Sequence, residues 1–228
     1  MSLFSTLFSN LDWPEIGQAT LETLQMLGGS LFFTLILGLP LGIALYLTSP
    51  GNLYGSKRIY TLLSFLVNVL RSLPFIILLI VMIPLTLAVA GTSIGVPGAI
   101  PPLVAGATPF FGRMVENVLR EIDRELIEAS QTLGATTTQI IWRVLLPESK
   151  PGLIAATTVT AIALVGYTAM SGVIGGGGLG DLAVRYGYQR FETDVMVITV
   201  VLLLILVYIL QTLGDKLVAR TSRKIARR

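Results

Sequence analysis

The chain has no cysteine and no histidine. Without cysteine there is no disulfide, no thiolate metal site and no cysteine nucleophile. Without histidine the commonest general base and metal ligand is missing as well. Charge is also scarce: 13% of the 228 residues are Asp, Glu, Lys or Arg. The acidic residues are scattered and fall mostly near the ends of apolar runs, with no HExxH motif and no paired carboxylates inside a run. These absences argue against hydrolytic or metal chemistry and against an enzyme. What remains is apolar: 53% of the residues are hydrophobic, and mean hydropathy is strongly positive. A soluble domain of this length needs more polar surface than that.

Several apolar runs approach or exceed the roughly 20 residues that cross a bilayer as a helix. Five spans are expected, near 23–47, 62–87, 96–119, 153–174 and 195–217. The fold class predicted is an all-α integral membrane protein, a single transmembrane domain over 1–228 built as a five-helix bundle. The second run is interrupted by Arg71 and kinks near Pro74 and Pro84. The third, rich in Pro, Gly and Ala, reads as a helix buried in the bundle, where small residues allow close approach. The opening residues lack a basic n-region and a small-residue cleavage site, so no removable leader is expected there.

Basic residues set the orientation. Lys57 and Arg58 fall in the first loop, and Arg113, Arg120, Arg124, Arg143 and Lys150 in or beside the third. Lys216, Arg220, Arg223, Lys224, Arg227 and Arg228 crowd the C-terminus, while the second loop has none and the fourth only Arg185 and Arg190. The first and third loops and the C-terminus are therefore expected in the cytoplasm, with the N-terminus outside. The basic tail reads as an orientation signal touching lipid headgroups, not as a nucleic-acid site.

The third loop, 121–151, is polar and well punctuated. Asp123 can cap a first short helix and Gly134 can stop it. Thr136 and Gln139 have capping-box spacing for a second, and Pro147 marks its expected end. Apolar residues recur on one face of each: Ile127 and Leu133 in the first, Ile140, Ile141, Val144 and Leu145 in the second. By pattern alone such helices either rest on the bilayer or bundle, or dock on a cytoplasmic partner.

Glu128-Ala129-Ser130, then Gly134, then Val144-Leu145-Leu146-Pro147 has the spacing of the EAA motif and resembles that of ABC importer permeases. The departures are Ser130 for the second Ala and Val144 for Ile. Further stretches, "RSLPFIILLIVMIPLT", "FFGRMVENVLREI" and "LVGYTAMSGVIGGGGLGDLAVRYGY", are similar to the permeases of methionine ABC importers. That resemblance covers nearly the whole chain. It implies a homodimer of five-span permeases in a bacterial inner membrane, two ABC ATPase subunits carrying ATP and Mg, and an extracytoplasmic methionine-binding lipoprotein. No cofactor is implied in this chain. The loop then becomes the helix that couples to the ATPase. Its implied contact set is Glu128 as charged handle, Ala129 and Ser130 for close approach, Gly134 and Ala135 at the turn, and Leu146 and Pro147 at the return to the membrane. A bracing role for Glu128 within its own loop is the plainer alternative.

"GGGGLG" at 175–180 lacks the Gly-Lys-Ser/Thr ending of a phosphate-binding loop. It reads as a tight outer turn, with Gly177, Gly178 and Gly180 near where a binding protein would dock. Met170 stands among small residues in the fourth span, where two copies could close an apolar gate; ordinary packing is the alternative. Tyr167, Ser72 and Pro74 are placed along the same pathway. Arg71 should snorkel or pair. Arg113, Glu116 and Arg120 are spaced to pair along one helix face. Other solutes, an ATP-independent carrier and a structural anchor stay open. No acidic residue lies deep in a span and no inverted repeat is evident, which argues against the carrier.

Overall fold

The computed structural model describes residues 12–225, with side chains to 222. The expectation about a leader and the outermost tail residues Arg227 and Arg228 lie outside these. Helix dominates the described residues. In chain order these are α1 Trp13–Thr48, α2 Lys57–Ser72, α3 Phe75–Val81, α4 Ile83–Ala90, α5 Gly95–Arg120 and α6 Arg124–Thr132. α7 Thr137–Ile140, α8 Leu146–Glu148, α9 Lys150–Ser171, α10 Gly178–Leu182 and α11 Thr193–Ile225 follow. Three of them, α1, α9 with its 3-10 extension, and α11, are long and apolar enough to cross a membrane. The pairs α2–α3 and α4–α5 are each bent at a short break, and counting each as one span brings the number to five.

The breaks fall where the chain chemistry puts them. Pro74 has extended ψ and no N–H to continue α2. Gly91, with φ of 72°, ends α4. α1 begins ten residues before the apolar run suggested. Its start signal is polar: Asp12 Oδ1 accepts from the Glu15 amide, and Pro14 and Glu15 occupy the first turn.

The chain divides into two compact units. The first takes Met1–Phe33, Leu73–Gly106 and Ala161–Leu210; the second takes Thr34–Ser72, Ala107–Thr160 and Gln211–Arg228. In the first unit Ile16, Ala19, Leu179, Leu182 and Val195 form a buried core. In the second unit Phe111, Val115 and Leu119 of α5 pack with Tyr46, Ile127, Ile140 and Leu145. Small residues permit this density. A Cβ on Gly42 would overlap Val115, and one on Gly214 would overlap Thr158.

One polar cluster crosses this second core. Glu116 is 1% exposed, yet its carboxylate is held by Arg113 on one side and by Arg120 at 2.7 Å on the other. Tyr60 donates to Glu116 Oε1 at 3.1 Å. Arg113 also donates to Ser64 Oγ and Asn68 Oδ1 of α2. The expected pairing along the α5 face is therefore present, and α2 adds the remaining partners. Arg71, by contrast, is exposed with its guanidinium 5.8 Å from the Phe110 ring, a cation–π contact and not an ion pair.

Glu116→Ala would leave two arginines without their anion. Loss of about 3 kcal/mol is expected, read as a lowered thermal midpoint of the purified protein in nanodiscs.

Candidate functional site

The loop after α5 is a capped helix–turn–helix in the second unit. Asp123 accepts from the Glu125 amide at 3.0 Å and starts α6. α6 ends in a full Schellman closure: the Ala135 amide donates to the Ser130 carbonyl and the Gly134 amide to the Gln131 carbonyl. That closure needs a left-handed residue, and Gly134 has φ of 78°. Thr136 and Gln139 then form the capping box in both directions, opening α7.

Pro147 does not end the second helix, contrary to expectation. The chain passes through a π-helical turn at Ile141–Leu145 and continues as α8 through Pro147 to Glu148. The Leu146 amide bonds the Ile141 carbonyl, five residues back. This wider turn moves the upstream carbonyls aside, so the proline ring is accommodated without its own N–H. α9 then starts at Lys150, with the Leu153 amide bonded to the Ser149 carbonyl.

The loop is anchored from below and open above. Ile127, Ile140 and Leu145 are buried, and Ala135 and Val144 pack against the same core. Arg124 ties the loop to the α1–α2 connection by donating to the Gly51 carbonyl at 2.7 Å. Beside it lies a shallow cleft of about 170 Å³ lined by Tyr46, Gly51, Asn52, Arg124, Glu128 and Gln131. Glu128 and Ala129 are exposed, Ser130 is half-buried with its hydroxyl spent on the Leu126 carbonyl, and Leu146 is half-buried. No basic side chain pairs with Glu128 among the described residues. Leu133 and Trp142 also project outward, 88% and 67% exposed. Leu133 was expected on the apolar face of the first helix and is instead exposed as the residue that ends it; Trp142, which the sequence pattern did not mark, is exposed within the π-helical turn.

The other sequence-marked residues are less closely grouped. In the first unit the Tyr167 ring stacks on Phe75 at 4.3 Å, and Pro74 is the N-cap of the helix that carries Phe75. Met170, one turn on from Tyr167, is 47% exposed. Ser72 belongs to the second unit; it is exposed and donates to the Asn68 carbonyl. The glycine run is a packed turn. The Gly178 and Leu179 amides donate to Glu22 Oε2 and Thr23 Oγ1, both at 2.8 Å. A Cβ on Gly180 would enter the backbone of Ala169. Gly178 and Gly180 are buried and Gly177 is half-buried, so the glycines shape the turn and expose little surface of their own.

Residues 38–224, which include the whole capped loop, match the family described as binding-protein-dependent transport system inner membrane component. The chain belongs to this family. The methionine import system permease protein of Bacillus subtilis is 46% identical over 213 residues, 93% of this chain and 96% of that one. The D-methionine transport system permease protein of Escherichia coli K12 is 54% identical over 151 residues, 66% and 70% of the two chains. A solved chain of the MetNI methionine ABC transporter, from inward-facing conformations, aligns with a TM-score of 0.91 at 48% identity, covering 92% of this chain and 99% of that one.

Thr136→Ala removes one direction of the capping box. About 1 kcal/mol of local stability should be lost, seen as faster hydrogen exchange at the Gln139 and Ile140 amides with α9 unaffected.

Proposed function

We propose that this chain is the membrane-spanning permease subunit of an ATP-driven methionine importer. Two copies form the pathway, two separate ATPase subunits bind ATP and Mg, and an extracytoplasmic binding protein delivers substrate. The C-terminus and the 121–151 loop face the cytoplasm and the N-terminus lies outside, in keeping with the basic residues. The observation that carries this reading is the loop itself. α6 is capped at both ends, α7 starts on a capping box, and both are rooted in a buried core, while Glu128 and Ala129 stand free at the surface. Such an elbow carries a partner's displacement into α5 and α9 without folding up. Glu128 meets a basic group on the ATPase, and Ala129, Ser130, Gly134 and Ala135 let the surfaces approach closely. Leu146 and Pro147 hold the angle at which the loop rejoins α9. The methionine assignment is supported by the names of the relatives and of the solved transporter.

In the pathway, Met170 is the gate, with Tyr167 and Pro74 in the same unit, and Ser72 of the second unit is a further pathway residue. Gly177, Gly178 and Gly180 form the outer turn beneath the binding-protein contact. An unbranched thioether on an exposed helix face suits a closure that must open and reseal, because it repacks easily.

The deciding experiment is uptake of labelled L-methionine into proteoliposomes holding the chain, its ATPase and the binding protein. ATP-dependent uptake supports machine and substrate. Uptake of a different solute keeps the machine and removes methionine. Absence of ATP dependence, with assembly confirmed, overturns the reading. Glu128→Lys should lower uptake about tenfold, the effect of about 1.4 kcal/mol of lost contact, while the complex still elutes as one species. Met170→Ala should raise ATP-independent leak of preloaded methionine; an unchanged leak would remove the gate.

A further inference from the structure

The segment between α10 and α11 is the most firmly braced exposed surface of the first unit. It leaves α10 through a π-helical turn at Ala183–Tyr188. The Gln189 amide donates to the Val184 carbonyl, and the Glu192 amide to the Tyr186 carbonyl at 3.1 Å. Tyr186 packs on the buried core of Leu179, Leu182 and Val195. The guanidinium groups of Arg185 and Arg190 lie 5.0 and 4.4 Å from its ring centroid. Arg185 is further held by Asp181 at 2.9 Å and by Glu15.

On this platform two aromatic rings point away from the protein. Tyr188 is 71% exposed and Phe191 is 84% exposed. Phe191 has φ of 59°, the one positive value outside glycine among the described residues. Bulky side chains rarely adopt that backbone, and strained residues of this kind gather at ligand clamps and contact sites. Arg190 is exposed and has no carboxylate partner among the described residues. Exposed Tyr and Phe beside an Arg that stacks on Tyr186 but has no carboxylate partner among the described residues match the make-up of interface anchors.

We infer that Tyr188, Arg190 and Phe191 form the docking surface for the system's binding protein. The Phe191 ring enters an apolar pocket on that partner, and Arg190 meets a carboxylate on the pocket's rim. This rests on the importer reading above, in which the segment faces outward. The family is by its own description binding-protein-dependent, so such a partner must find a surface on this chain. The buried Gly178 and Gly180 do not offer one. A lipid surface fits less well. An aromatic belt residue needs no left-handed backbone.

The test uses the assembled transporter in nanodiscs, titrated with its binding protein. Phe191→Gly removes the ring and keeps the left-handed backbone, so misfolding does not explain its effect. Its dissociation constant should rise at least about tenfold, with a smaller rise for Arg190→Gln and an unchanged thermal midpoint for both. A photo-crosslinker at the position of Phe191 should attach to the binding protein. Unchanged affinity in both variants, or crosslinks to lipid alone, overturns the surface and leaves the importer reading in place. If the wild-type complex fails to bind any candidate binding protein, both fall.

Discussion

Burying a carboxylate in so apolar a chain is tolerable only when its lone pairs are used and its charge is answered. Glu116 meets both conditions with Arg113, Arg120 and Tyr60. Much of the second unit is organised around that solution. α5 supplies the carboxylate and both arginines, and α2 comes alongside because Tyr60, Ser64 and Asn68 complete the network. α5 can approach α1 closely because Gly42 leaves room for Val115. The polar cluster thus fixes which helices meet, and the small residues set how near they come.

The same unit carries the loop that reaches outward. Ile127, Ile140 and Leu145 root it in the core that Phe111, Val115 and Leu119 also fill. Its caps satisfy end groups of α6 and the start of α7, which stiffens the turn between them. The first unit repeats the logic with different parts: Glu22 and Thr23 hold the start of α10, and Tyr186 with two arginines holds its continuation. In both units a short exposed stretch stands on a braced base.

Much of the 121–151 loop was legible in the sequence. Asp123, Gly134, Thr136 and Gln139 act within three residues of themselves, and such contacts are written in local spacing. Pro147 was misread because proline's missing amide was taken as a stop, while a π-helical turn upstream makes room for it. Leu133 departs from its expected face for a related reason: periodicity assigns a face, but cap geometry decides which end of that face leaves the core. The early start of α1 was missed because hydropathy was weighed above the Asp12 cap.

The sequence by itself determined the membrane character, the helical class, the break at Pro74, the capped loop and the pairing of Arg113, Glu116 and Arg120. All of these follow from hydropathy or from contacts a turn or less apart. Only the tertiary structure decided that Tyr60, 56 residues from Glu116, joins that pair. It alone buried Gly178 and Gly180 and held Phe191 in a left-handed conformation at the surface. Those outcomes depend on which distant helices fill the space around a residue, and no local spacing encodes that.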